Sequence, residues 1–120
     1  MSGLVISEAG VQARILLKWG AHPAVRLFRT NAGQAWVATA DGGVRPIQMN
    51  HPGWADLTGW VTVRGKALFL AIECKSANGR QRKTQRHFQD VLVRMGGIYI
   101  LARAVTDVDK VLESLLREAA

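Results

Sequence analysis

The sequence lacks the residues that most cofactor and disulfide chemistry requires. It has one cysteine, Cys74, in 120 residues, which excludes an internal disulfide and a zinc cluster built from several cysteines. His22, His51 and His87 are scattered without ligand spacing, so a histidine metal site is not expected. Neither G-x-x-x-x-G-K-[ST] nor G-x-G-x-x-G occurs, and nucleoside-triphosphate or dinucleotide chemistry is therefore not expected either.

Long apolar runs are also missing. No stretch approaches the roughly 20 residues that a transmembrane helix needs, and no secretory signal pattern opens the sequence. These absences predict a cytoplasmic protein without a membrane partner. A length of 120 residues with 48% apolar content predicts a single domain over residues 1–120 with one core.

Acidic residues are scarce relative to basic ones. The sequence has nine aspartates and glutamates and 16 lysines and arginines, which gives a formal net charge of +7. Such an excess in a small domain favours a polyanionic partner, with DNA or RNA as the default. Charge alone leaves open a basic protein that has no nucleic-acid role.

Periodicity predicts helices over 7–19, 80–95 and a last one from Thr106, which we expect to be its cap. Strands are predicted over 24–29, 34–39, 57–63, 67–75 and 98–104, and loop over 41–43 and 46–53. Taken as an α-β-β-β-β-α-β-α order, these elements indicate an α/β fold with a mixed β-sheet flanked by helices. The helix over 80–95 is expected to join two parallel strands.

Asp56, Glu73 and Lys75 are the strongest candidates for a functional site. Alternation along a strand places Glu73 and Lys75 on one face. A type II′ turn centred on Gly65-Lys66 would pair Asp56 with Lys75, and would make Asp56 a diagonal neighbour of Glu73 at about 7–8 Å. Two carboxylates at that separation can share one ion.

This constellation fits phosphodiester hydrolysis. A divalent cation held by Asp56 and Glu73 would lower the pKa of a bound water and neutralise charge on a phosphate. Mg²⁺ prefers oxygen ligands, so the backbone carbonyl of Cys74 is a candidate third ligand. Lys75 would orient the attacking water or offset the developing charge. The alternative is a surface salt bridge between Glu73 and Lys75.

Further polar residues are candidates for the same chemistry. Gln85 could reach a phosphate or a metal-bound water, and Glu8 could complete the metal shell through water. Arg29 and Asn31 could grip a phosphate from a strand end and turn. Cations are unfavourable at a helix N-terminus, so a phosphate backbone would explain four of them near the start of one helix: Arg80, Arg82, Lys83 and Arg86.

Several sequence blocks together resemble the VRR-NUC family of the PD-(D/E)xK nuclease superfamily. The blocks are Ser7-Glu8, Arg29 to Gly33, Gly53-Trp54-Ala55-Asp56 with Leu57-Thr58-Gly59, Ile72-Glu73-Cys74-Lys75, Gly79-Arg80 with Gln85, and Gly96-Gly97. Trp54-Ala55 stands where the family pattern often carries proline before the aspartate. The resemblance implies a restriction-endonuclease-like core with Asp56, Glu73 and Lys75 at its centre.

The resemblance also implies an activity and a context. It implies a Mg²⁺- or Mn²⁺-dependent endodeoxyribonuclease, with Glu8 in the metal shell and Gln85 beside it. Stand-alone members of this length look like phage or prophage proteins that resemble Holliday-junction resolvases, which implies a homodimer acting on branched DNA in a bacterial or phage-infected cell. The alternative function is a non-catalytic nucleic-acid-binding module that keeps the nuclease fold.

Overall fold

Strands and helices are mixed along the chain. The computed structural model describes residues 6–30, 33–49 and 51–119. Within these ranges the order is α1 (Glu8–Trp19), β1 (Val25–Arg29), β2 (Gly33–Ala38), β3 (Val44–Met49), β4 (Leu57–Val63), β5 (Lys66–Cys74), α2 (Lys83–Arg94), β6 (Ile98–Ala102) and α3 (Val105–Glu118). The predicted mixed α/β class is confirmed.

The main sheet has four strands in the order β1-β4-β5-β6. The β1–β4 and β4–β5 pairs are antiparallel, whereas β5 and β6 are parallel. A parallel pair needs a crossover connection, and α2 supplies it, as expected from the sequence. The sheet is therefore mixed, and the ends of β5 and β6 that precede α2 and α3 meet at one edge.

The core lies on one face of this sheet, beneath α1 and α3. Alternate residues of β5 point into it, among them the fully buried Leu70 and Ile72, where they meet Ile15 of α1 and Leu112 of α3. Since successive strand residues point to opposite faces, the odd-numbered residues of β5 point to the face that carries α2. Glu73 is one of these.

The turn between β4 and β5 differs from the prediction. Val63 pairs with Lys66, so the two-residue turn is Arg64-Gly65 rather than Gly65-Lys66. Both turn residues have positive φ, 52° and 77°, which defines type I′ instead of type II′. The predicted register was therefore wrong by two residues along β5. A two-residue shift leaves every side chain on its original face.

Residues 44–49 form a strand that the sequence did not predict. We expected loop over 46–53, partly because of Pro46, but β3 pairs antiparallel with β2 over the whole length of both strands. Among the described residues the two strands pair with no strand of the main sheet. Each strand therefore has an open edge, and an open edge tolerates the missing N–H of proline.

Two helix starts also differ from expectation. The helix predicted from Arg80 begins at Lys83, so Arg80 lies in the preceding loop and Arg82 is the N-cap residue. Thr106 does not cap α3, which begins at Val105. Instead, the Asp107 carboxylate accepts the backbone N–H groups of Arg103 and Ala104, in keeping with the preference for an acid in the first turn.

The β1–β4 contact depends on Gly59. A Cβ atom at this position would overlap the backbone carbonyl oxygen of Arg26. We therefore expect Gly59→Ala to separate the two strands and to lower the free energy of unfolding by at least about 2 kcal/mol. Chemical denaturation followed by circular dichroism measures this change.

Gly43→Ala is the matched control, because its Cβ would meet only side-chain oxygens at 3.3 Å. Equal stability of Gly59→Ala and wild type would contradict the close approach of β1 and β4.

Candidate active site

The end of β5 buries an acid and a base side by side. Glu73 and Lys75 are 2% and 5% exposed, and the Lys75 ammonium lies 3.7 Å from Glu73 Oε2. Such burial is unusual, because a charged group removed from water is costly unless it is paired and hydrogen-bonded. The exposed salt bridge considered as the alternative is therefore excluded by the position of the pair.

Asp56 lies beside this pair. Leu57 pairs with Ile72 at the start of β4, so Asp56, one residue earlier, comes level with Glu73 rather than diagonal to it. Asp56 Oδ2 accepts the backbone N–H of Cys74 at 2.8 Å. The two carboxylates are thus brought together by one hydrogen bond across the strands.

Gln85 orients the Glu73 carboxylate. Its amide nitrogen donates to Glu73 Oε2 at 2.6 Å, and its amide oxygen accepts the backbone N–H of Arg82 at 2.8 Å. The second bond satisfies one of the free N–H groups at the start of α2. One side chain therefore caps the helix and fixes the carboxylate on β5.

Glu73 Oε1 is left without a partner. It is a buried oxygen that accepts no hydrogen bond, although buried polar atoms are nearly always satisfied. Its carboxylate already has Gln85 and Lys75 on the other oxygen. An unpaired carboxyl oxygen beside a second carboxyl group is a donor set that suits a hard divalent cation.

The crowding of acids shifts their protonation. Burial, and then the charge of Asp56, raise the pKa of Glu73 from 4.5 to about 7, against the opposing effect of Lys75. Burial likewise raises the pKa of Asp56, against the opposing hydrogen bond from Cys74. Without a cation, the site therefore disfavours two ionised carboxylates, and a bound cation would relieve this repulsion.

Cys74 offers its carbonyl rather than its thiol. Its side chain is fully buried in the core, and burial raises the pKa of the thiol far above its ordinary value. Its backbone N–H points to Asp56. Because the N–H and C=O of one strand residue point to the same edge, the carbonyl also points to that side.

A polar cleft surrounds these groups. It is lined by Glu8, Gly53, Trp54, Asp56, Glu73, Lys75, Arg82, Thr84 and Gln85. Glu8 reaches it from the first turn of α1. Within the part of the chain that the structure describes, no three His, Cys, Asp or Glu side chains come together as a metal-binding group. The charge of Glu8 nevertheless contributes to the raised pKa values of Asp56 and Glu73.

The candidate phosphate-binding residues are divided between the cleft and its surroundings. Arg82 lines the cleft. Arg80, Lys83 and Arg86 are exposed around the start of α2. Arg29 ends β1, next to the strand that follows Asp56, and its guanidinium donates to Gln12 Oε1 at 3.0 Å. Asn31 lies outside the described residues.

Two structural supports of the cleft were missed at the sequence level. Gly53 has φ of +86°, and a Cβ there would overlap the backbone of Thr84 in α2, so this glycine lets the loop before Asp56 approach the helix that carries Gln85. The Arg103 guanidinium donates to the carbonyls of Ser76 and Gly79 at 2.8 and 2.6 Å. It thereby fixes the loop between β5 and α2. In the sequence, the Gly53-Trp54 motif was the only indication of the first support, and no pattern indicated the Arg103 contacts.

The mixed sheet, its flanking helices and the acidic pair at the end of adjacent strands define a domain of the restriction-endonuclease-like class. The model of the VRR-NUC domain matches residues 8–106, and the chain belongs to this family. It is therefore a nuclease-type domain whose substrate class is DNA. Comparison with curated proteins gave no match, and comparison with solved structures gave none. No helix in the described ranges is long and apolar enough to cross a membrane.

The buried Glu73 carboxyl predicts a pH dependence of stability in metal-free protein. The folded state retains this proton up to about pH 7, whereas the ordinary pKa is 4.5. The folded state thus binds more protons between these values, so its stability falls as pH rises through this interval. Each unit of pKa separation contributes about 1.4 kcal/mol. We expect Glu73→Gln, which mimics the neutral acid, to lose this decline in urea unfolding with EDTA.

Glu118→Gln is the control, since Glu118 is exposed at the end of α3. A constant difference in unfolding free energy between wild type and Glu73→Gln from pH 4.5 to pH 7.5 would show that the pKa of Glu73 is not raised.

Proposed function

We propose that this protein is a Mg²⁺- or Mn²⁺-dependent DNA endonuclease that selects DNA by structure rather than by sequence. The observation that carries the proposal is the unpartnered, buried Glu73 Oε1 next to Asp56 and Lys75. A module that only binds DNA gains nothing from burying carboxylates where phosphates would lie, because like charges repel.

Asp56, Glu73 and the Cys74 carbonyl are the groups that would hold the cation, with Glu8 contributing through water. When bound, the cation would supply an activated water and neutralise charge on the scissile phosphate. The two acids fit this role because each is partly desolvated and their pKa values are raised.

The remaining cleft residues act on the substrate directly or through Glu73. Lys75 holds a buried positive charge 3.7 Å from Glu73, where it can orient the attacking water and offset charge that develops on the phosphate. Gln85 keeps the Glu73 carboxylate in one orientation through its 2.6 Å hydrogen bond. Arg82, which lines the cleft, would bind a phosphate oxygen.

Selection by structure fits the small surface that 120 residues offer for reading bases. The cations near α2 contact phosphates by their chemistry, and such contacts position DNA without reading its sequence. We further propose a homodimer, because a branched substrate such as a four-way junction has two equivalent strands to cut and a two-fold pair of sites matches it. A panel of linear, flapped and four-way DNA, assayed with several metals, tests this selectivity.

The catalytic assignment predicts a clear mutational result. Asp56→Ala and Glu73→Gln each remove a carboxylate of the acidic pair. We expect cleavage to fall at least about a thousandfold, because a cation held by this pair would supply several kcal/mol of transition-state stabilisation. Lys75→Ala removes one stabilising charge, and about a 10²–10³-fold loss is expected. The rate of plasmid nicking with Mg²⁺ or Mn²⁺ measures cleavage, and a gel shift measures DNA binding.

Lys66→Ala is the matched control, because Lys66 is exposed at the opposite end of β5. It should leave cleavage unchanged. DNA binding by wild type without cleavage in any metal and on any branched substrate would favour the non-catalytic binding module instead. Full activity in Asp56→Ala would refute the assigned site.

The exposed cations around α2 predict the salt dependence of DNA binding. Arg86→Ala should weaken binding to all sequences alike, and should reduce the slope of log K against log salt concentration by about 0.9 if Arg86 neutralises one phosphate. Fluorescence anisotropy at several salt concentrations measures the slope. Arg117→Ala, at the exposed end of α3, should leave the slope unchanged. An equal reduction of the slope in both variants would contradict a DNA path that follows α2.

A further inference from the structure

Five aromatic rings form a continuous strip on the sheet face opposite the core. The strip crosses β1, β4 and β5 and reaches the first half of α2. We call it the aromatic strip, and its members are Phe28, Trp60, Phe69, Trp54 and Phe88.

The five rings of the strip follow one another as near neighbours. Phe28 and Trp60 have centroids 6.1 Å apart, and Trp60 is directly opposite Phe69 in the β4–β5 ladder. Phe69 and Trp54 lie 6.3 Å apart, and Trp54 and Phe88 lie 5.0 Å apart. Three of the four steps are within the range of aromatic pairs. The fourth, from Trp60 to Phe69, joins cross-strand neighbours on the same face of the sheet, so the rings share one surface.

Much of the strip is open to solvent. Phe28, Trp60 and Phe69 are 53%, 41% and 40% exposed, although the helices on the other face bury the matching core side. Rings left half-exposed and adjacent are costly in water, and a contiguous apolar surface of this kind marks a binding site. Its occupant has to be an apolar or aromatic group.

The strip continues into the catalytic cleft. Trp54 lines the cleft with Asp56 and Glu73, and also lines the apolar groove that Phe69 and Phe88 form. Its indole N–H faces the Thr58 hydroxyl at 3.4 Å. A chain whose phosphate lies in the cleft would therefore meet the strip with its next groups, and in a DNA strand those groups are bases.

Charge along the strip also favours DNA. Arg26 is exposed and lies directly opposite Trp60 in the β1–β4 ladder. The other described residues on this face of β1, β4 and β5 are Thr58, Thr62, Ala67 and Ala71. Outside the acidic pair these strands thus place a cation, and no carboxylate, beside the rings. Aromatic rings with a neighbouring cation form the surface on which single-stranded nucleic acid stacks its bases.

We propose that the aromatic strip binds unpaired bases of the DNA strand that enters the cleft. The preferred substrate would then contain a single-stranded segment next to the position of the cut. The proposal rests on the proposed nuclease function, since it takes the phosphate in the cleft as its starting point. The strip offers stacking faces rather than hydrogen-bonding groups, so the expected recognition is independent of base identity.

The test compares two DNA ligands that differ only in their bases. Each is a duplex with a single-stranded tail of about eight nucleotides, a length that one stacking groove can cover. One tail is thymidine and the other consists of abasic sites with the same phosphates. Fluorescence anisotropy in EDTA measures binding without cleavage. The wild-type protein should bind the thymidine tail more tightly, and Trp60→Leu should bind that tail about tenfold more weakly while its affinity for the abasic tail is unchanged.

Two further variants separate stacking from folding. Trp60→Phe keeps an aromatic face and should retain most of the preference, whereas Phe28→Ala removes a ring of the strip that is 53% exposed and should reduce the preference. Leu17→Ala, which removes an 82% exposed side chain from α1, should have no effect. Thermal melting confirms that each variant is folded.

Three results would overturn the proposal. These are equal binding of both tails by wild type, an equal loss on both tails in Trp60→Leu, or conversion of a dimer to a monomer by Trp60→Leu in size-exclusion chromatography. The last would assign the strip to a second copy of the chain. Cleavage that persists without base preference would reject the strip alone, and base preference without cleavage in any metal would reject the catalytic proposal alone.

Discussion

The burial of the Glu73 carboxylate is the constraint on which the rest of the site depends. An acid that is 2% exposed can stay in a folded protein only if its surroundings compensate for the lost water. Gln85 and Lys75 compensate on one oxygen, and the other oxygen has no partner. The domain thus keeps an incomplete electrostatic arrangement that a cation can complete. The raised pKa values of Glu73 and Asp56 are the thermodynamic sign of the same incompleteness.

The fold supplies this arrangement through three connections. The β4–β5 register brings Asp56 level with Glu73, the β5–α2–β6 crossover returns Gln85 to the end of β5, and Gly53 lets the loop before Asp56 approach α2. Each connection depends on backbone geometry far more than on the acids themselves. The buried face beneath α1 and α3 stabilises the sheet, so the opposite face is free to carry the functional residues.

The sequence was sufficient for the class of fold and for the proximity of the acidic pair. A register error of two residues leaves side chains on the same face of a strand. The predicted proximity of Asp56 and Glu73 was therefore unaffected, although the turn proved to be Arg64-Gly65. Strand β3 was missed because Pro46 is compatible with an open edge, a context that the sequence does not show. The double role of Gln85, the unpartnered Glu73 oxygen and the Arg103 contacts depend on side-chain positions across distant elements. No local pattern encodes such positions.

The most direct test of the site is crystallographic. Crystals of the full chain soaked in Mn²⁺ should give an anomalous peak between the Asp56 and Glu73 carboxylates, in contact with Glu73 Oε1, and the peak should be absent in Glu73→Gln crystals treated in the same way. An ordered cleft that shows no peak at saturating Mn²⁺, or a peak bound elsewhere and unaffected by Glu73→Gln, would contradict a cation site built on this buried carboxylate.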